Sequence, residues 1–280
     1  TSTLFPSPTL FRSMPMFNRD PWNRESRQLL LLLVCSLPWA FAIPGRTFLS
    51  DDFTFLEVWA RPPWSSTLSW FVTEYTGFYR PLSAVYWKVV DSLAFGEAFG
   101  YHLVQHLLHV LNAVLVWRVG RSLYRARPEV GVCAGLIFLY TPGHVFAVLM
   151  PAAVPGVLCT TFVLSAVLLD AGRKVWLAAL CLVLALLTKE LAVTLPFLLL
   201  TMRAAETQGS WVERSRSALS GAPPSLVLLL SSLPLLYLLF VVLTYAPLRH
   251  PTTAPLLLLL PSSTPARPTP APSALSPLYP

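Results

Sequence analysis

Residues 130–169 read VGVCAGLIFLYTPGHVFAVLMPAAVPGVLCTTFVLSAVLL, a stretch with no Asp, Glu, Lys or Arg. About 20 apolar residues cross the roughly 30 Å of a bilayer's hydrocarbon, so this stretch predicts two spans. Pro142, Pro151 and Pro155 mark the turn between them, because proline breaks a helix interior. A chain built around such a stretch reads as an integral membrane protein. Its composition agrees: 55% of the 280 residues are hydrophobic and 12% charged, against about 25% charged in a soluble domain. The mean hydropathy is +0.61.

Downstream, residues 175–188 and 191–202 are apolar and are split by Lys189-Glu190. They read as two short or tilted helices. A single span with an ion pair at its centre is the alternative, disfavoured because a charge at mid-bilayer costs about 2.5–3.5 kcal/mol. A last span is expected near Ser225 to Ala246. Upstream, spans are expected at Ala98–Trp117 and Gln28–Gly45; the latter is too long for a signal-peptide core. Residues 46–97 mix aromatic and charged side chains and read as a long loop carrying short interfacial helices. The expected fold is all-α, a polytopic membrane helix bundle of about seven spans.

Charge supports an orientation. With the N-terminus cytoplasmic, the inside segments hold Arg19, Arg24 and Arg27; Arg118, Arg121, Arg125 and Arg127; Arg173 and Lys174; and Arg203, Arg214 and Arg216. Basic residues concentrate on cytoplasmic loops. The loop at 46–97 then lies outside, on the same side as His144, Lys189 and Glu190. The net charge of +7 is spread between apolar stretches rather than over one soluble face, which argues against nucleic-acid binding. Cys35, Cys133, Cys159 and Cys181 lie in apolar stretches without a CxxC and read as small buried hydrophobes, not as a disulfide framework or zinc site. No metal site or cofactor is expected.

The ends read differently from the rest. Thr1–Ser13 (TSTLFPSPTLFRS) resembles translated adapter sequence and is expected to be a non-native leader, with Met14 or Met16 as the start. Residues 14–245 form the membrane domain. Residues 246–280 are Pro-rich and read as a disordered or misread tail.

Asp51-Asp52 follows the first span closely. It reads either as a solvated turn with Ser50-Asp51 as a helix N-cap, or as a carboxylate that takes a proton from an attacking hydroxyl. Beside lipid, at least one of the pair should have a raised pKa. Arg80, within Phe78-Tyr79-Arg80-Pro81-Leu82, offers a fork suited to a phosphate; a lipid headgroup contact is the plainer reading. His102, His106 and His109 share one helical face with Asn112, suggesting interhelical hydrogen bonds, with His102 best placed to reach a ligand. Lys189 could meet a phosphate and Glu190 hold it in place or meet a sugar; a polar hairpin turn is the alternative. His144 is a weaker candidate. Walker, GxSxG and HExxH patterns are absent from the sequence, which disfavours a nucleotide-driven pump.

The order of these pieces resembles a known family. Ser50-Asp51-Asp52-Phe53, Tyr79-Arg80-Pro81-Leu82, Tyr101-His102-Leu103, Leu107-Leu108-His109-Val110-Leu111-Asn112-Ala113, Pro142 with His144-Val145, and Thr188-Lys189-Glu190 with Pro196 follow one another. The series is similar to that of GT-C fold glycosyltransferases that use polyprenyl-phosphate sugars. It is closest to the transmembrane, tetratricopeptide-containing O-mannosyltransferases and their bacterial relatives, over roughly residues 28 to 203. The resemblance implies inverting transfer of a hexose such as mannose from a polyprenyl phosphate to a hydroxyl on protein, lipid or glycan. Asp51 or Asp52 would be the base, and Arg80 and Lys189 would neutralise the leaving phosphate. It implies a multi-pass location in a bacterial inner membrane. Thr141, Gln105, His106 and Pro151–Gly156 depart from the family pattern, and no tetratricopeptide repeat is present, so a fragment is expected. Rival readings are a transporter or lipid-binding scaffold, and an enzyme acting on lipid-linked phosphates without a sugar acceptor.

Overall fold

A computed structural model describes residues 24–72, 78–205 and 235–237. Every regular element among them is helical, with no strand. Helix α1 (Arg24–Phe41) leads into a loop and the short α2 (Asp51–Phe55). A π-helical turn at Leu56–Ala60 and a 3-10 stretch at Trp64–Phe71 follow. Next come α3 (Pro81–Ala94) and the 26-residue α4 (Ala98–Leu123). Helix α5 (Glu129–Tyr140), the short α6 (Val145–Leu149) and α7 (Val154–Ala171) come from the long uncharged stretch. Helices α8 (Val175–Leu186) and α9 (Leu195–Ala205) flank Lys189-Glu190. The uncharged stretch turns at its prolines, and the charged dipeptide breaks the apolar run rather than sitting inside one helix.

Helix α4 is the axis; α1, α3, α5 and α7 all pack on it. The α4–α5 contact is a backbone contact. A Cβ on Gly120 would stand 2.8 Å from Gly131 Cα, and one on Gly131 would stand 2.7 Å from the Trp117 carbonyl oxygen. One on Gly135 would stand 3.0 Å from the Ala113 carbonyl oxygen. Gly131 and Gly135 form a GxxxG pair, the spacing that lets membrane helices approach closely. Deeper along α4, Asn112 Nδ2 donates to the Val157 carbonyl at 3.0 Å, and Thr161 Oγ1 donates to Asn112 Oδ1 at 2.8 Å. These bonds tie α4 to α7. Tyr101 donates its hydroxyl hydrogen to Asp91 Oδ1 at 2.8 Å, tying α4 to α3.

Ion pairs fix which ends meet. Arg24 pairs with Glu129 and Arg121 with Glu25, so the start of α1, the end of α4 and the start of α5 share one end of the bundle. The acidic pair, Arg80 and Lys189 lie on elements that meet toward the other end.

Among the described residues two helices are long and apolar enough to cross a membrane: Ala98–Leu123, and Pro151–Ala171, which is α7 with its leading turn. Helix α5 with Pro142–Leu149, bent by 54°, makes a third if the pair counts as one broken span. This is fewer than the seven spans expected. Helix α1 carries Arg24, Glu25 and Arg27 in its opening turn, which leaves a short apolar remainder. Helix α8 has 12 residues and α9 has 11. The span expected at Ser225–Ala246 lies outside the described residues, as do the leader at Thr1–Ser13 and the tail from residue 246. The cysteines are free; Cys159 is buried, Cys35 and Cys181 are half-buried, and Cys133, contrary to expectation, is exposed.

Candidate functional site

Asp51 and Asp52 open α2, and the two side chains part company. Asp51 is exposed and accepts from Ser50 Oγ at 3.2 Å. Asp52 is completely buried. Its Oδ2 accepts the Leu49 N–H at 2.8 Å, and its Oδ1 accepts the Ala152 N–H at 2.6 Å. Asp52 thus staples its own loop to the turn before α7. Burial raises its pKa above the ordinary carboxylate value, although both N–H groups and nearby His102 favour the charged form and Asp51 opposes it. Ser50 makes no side-chain cap and has a φ of 39°, a left-handed conformation uncommon for a residue with a side chain. The capped, solvated turn therefore describes neither Ser50 nor Asp52.

Arg80 stands directly before α3. Its carbonyl accepts the Ser83 and Ala84 N–H groups, and Pro81 takes the first helical position, where its missing N–H costs nothing. The Leu82 N–H, an orphan of the helix start, donates to the Leu187 carbonyl at 3.1 Å. Ser83 Oγ donates to the Thr188 carbonyl at 3.4 Å. These long-range bonds bring Arg80 beside Lys189-Glu190. The Arg80 guanidinium donates from Nη2 to Glu190 Oε1 at 2.8 Å and from Nε to Oε2 at 3.3 Å. It also lies 4.1 Å from the Phe78 ring centroid. The Arg80 side chain is 13% exposed and that of Glu190 47%. Burial alone would raise the Glu190 pKa, but the Arg80 bonds and the Lys189 charge outweigh it and hold the carboxyl below its usual range.

Lys189 Nζ lies 3.7 Å from where a Cβ on Gly156 would stand. Lys189 therefore lies against Gly156, in the first turn of α7. Ala152, which Asp52 holds, is four residues earlier. At helical spacing the Asp52 carboxylate and the Lys189 ammonium are roughly 15 Å apart at most along this path.

His102, expected to reach a ligand, is fully buried, with Nε2 3.4 Å from the Thr47 carbonyl oxygen. His144 is held by its Nδ1, 2.7 Å from the Phe138 carbonyl oxygen, and meets His109 edge to face at 5.5 Å between ring centroids. It therefore joins the α4 histidine face rather than Arg80 and Lys189. His109 Nε2 lies 3.3 Å from the Leu139 carbonyl oxygen. Among the described residues no group of three or more His, Cys, Asp or Glu could hold a metal ion.

One contributor had no sequence signal: Ala152 acts through its backbone. The Asn112–Thr161 tie was half visible, since Asn112 shared the histidine face. No protein-family model, curated protein or solved structure matches this chain.

Proposed function

We propose that this chain is a membrane glycosyltransferase of the GT-C class, moving a hexose from a polyprenyl phosphate to a hydroxyl acceptor with inversion. The observation that supports the reading best is the convergence on the start of α7. Asp52 anchors the turn at Ala152 and Lys189 covers Gly156 one helical turn on, with Arg80 beside Lys189. The anchored loop also carries Asp51, beside Asp52 at the start of α2, so that an acid and two cations at this turn can serve one sugar phosphate.

In the proposed reaction the acceptor oxygen bonds to the anomeric carbon as the carbon–oxygen bond to phosphate breaks. The acceptor proton passes to an aspartate, and the electron pair leaves on the phosphate. Arg80 and Lys189 stabilise that charge. We assign the base to Asp51, because Asp52 is buried with both oxygens engaged by backbone N–H groups, whereas Asp51 is open to a substrate. Asp52 is the positioning residue. The reading carries with it about seven spans, this end of the bundle extracytoplasmic, and a bacterial inner membrane.

The test is transfer from a polyprenyl-phosphate hexose by the chain in nanodiscs. Asp51→Asn should abolish turnover while donor binding persists. Full activity in both Asp51→Asn and Asp52→Asn would reject the mechanism.

One observation favours a transporter instead. His102, His106 and His109 line the buried face of α4, beside the broken pair formed by α5 and the 142–149 segment. Ionisable groups inside spans and interrupted helices are features of transport sites. Proton uptake by chain-bearing liposomes, lost in His106→Leu and His109→Leu, would favour it; sugar transfer intact in both would favour the enzyme.

A further inference from the structure

Arg80 does not offer an open fork. Both of its contacting nitrogens are on Glu190, a residue adjacent in sequence to the other cation of the pair. Fork-to-fork pairing with a carboxylate uses the same parallel N–H donors that grip a phosphate. Glu190 is nearly half exposed, and Arg80 is mostly covered. The carboxylate can therefore swing out to water, while the guanidinium is held by the Phe78 ring and by the backbone bonds around it. Lys189 differs. Among the described residues its ammonium has no hydrogen bond or ion pair, and it lies against the first turn of α7 at Gly156.

We propose that Glu190 is a built-in occupant of the phosphate site, so that a phosphate group binds by exchange: Lys189 receives it first, and it then displaces the Glu190 carboxylate from Arg80. This rests on the reading of Arg80 and Lys189 as the phosphate-binding pair. The exchange keeps Arg80 neutralised when the site is empty and costs affinity equal to the strength of the internal pair. It also releases a carboxylate beside the bound phosphate at the moment of binding. The opposite role is a Glu190 that orients Arg80 for phosphate and stays paired with it. The two roles differ in sign. An occupant weakens binding, so its removal tightens it; an orienting partner strengthens binding, so its removal loosens it.

The experiment titrates the full 280-residue chain in nanodiscs with a short-chain polyprenyl phosphate. Inorganic phosphate, and nanodiscs with and without phosphatidylglycerol, form parallel arms. Glu190→Gln and Glu190→Ala should each bind polyprenyl phosphate more tightly, by roughly fivefold, the worth of one partly exposed ion pair. Arg80→Gln and Lys189→Gln should bind it more weakly. Unchanged or weaker binding in both Glu190 variants, with the Arg80 and Lys189 variants still impaired, overturns the exchange and leaves the site standing. Indifference of all four variants overturns the site and the exchange together. A fivefold gain for inorganic phosphate as well assigns the exchange to the phosphate alone. A gain confined to the lipid, or abolished by phosphatidylglycerol, assigns it to a lipid-borne headgroup.

Discussion

Asp52 accepts the backbone N–H of Ala152 at 2.6 Å across a hundred residues of sequence, and this bond joins the first loop to the turn that starts α7. With the Leu49 N–H on its other oxygen, the carboxylate behaves as a structural bracket. Burial nevertheless disfavours its charge, so its pKa lies above 3.8.

The sign of the pH effect follows. A carboxyl whose folded pKa is raised binds its proton more tightly when folded, so its contribution to stability is full below 3.8 and is lost as pH rises through the raised value. Asp52→Asn removes that dependence. Asparagine keeps one acceptor and turns an amino group toward the second N–H, costing about 1–3 kcal/mol. Thermal unfolding in detergent should show the variant less stable at every pH, with the deficit narrowing from pH 4 to 7 by approximately the ionisation cost that Asp52 bears. A deficit independent of pH would contradict the raised pKa.

Gly131 meets the Trp117 carbonyl and the Arg121 side chain where its own would be. Gly131→Ala should force α5 off α4 and cost about 1–3 kcal/mol as overpacking. Ala134→Gly, which removes a methyl instead of adding one, should cost about 1 kcal/mol through helix propensity. Unfolding in a mixed detergent and SDS series measures both.

Asn112 and Thr161 are bonded inside the bundle. Interhelical hydrogen bonds of this kind average about 0.6 kcal/mol and reach about 1.7. A double-mutant cycle of Asn112→Ala and Thr161→Val should return a coupling in that range. Coupling near zero would mean that the Val157 carbonyl alone holds Asn112.

Reporter fusions after residues 60 and 122 should fall on opposite sides of the membrane, because all of α4 but its last residue lies between them. The same side for both would remove α4 as a span.

Much of the bundle was legible because helix breaks have chemical causes. Pro142 and Pro151 break the helical run by geometry, Pro155 sits in the first turn of α7 where proline is tolerated, and Lys189-Glu190 breaks a run by the cost of burying charge. Arg80 and Lys189-Glu190, expected on one side, do meet through the Arg80–Glu190 pair. Span number was less legible. Hydropathy marks a segment as apolar but does not tell a crossing helix from a short one packed on α4 or α7. The division of labour between Asp51 and Asp52 was hidden as well, since Asp52 is bound by backbone N–H groups that every residue but proline carries. The GxxxG pair in α5 was readable in principle; its two glycines lie in a run whose hydrophobicity drew attention first.

That pair has a reach beyond its own contact. Helix α5 is joined through the short 142–149 segment to the turn that presents Ala152 to Asp52, so the depth at which α5 sits against α4 bears on the alignment of the acidic loop. Two missing side chains toward one end of the bundle thus act as a gauge for carboxylate placement toward the other. Descendants of this sequence could keep every polar residue of the site and still lose its register by drift at Gly131 or Gly135.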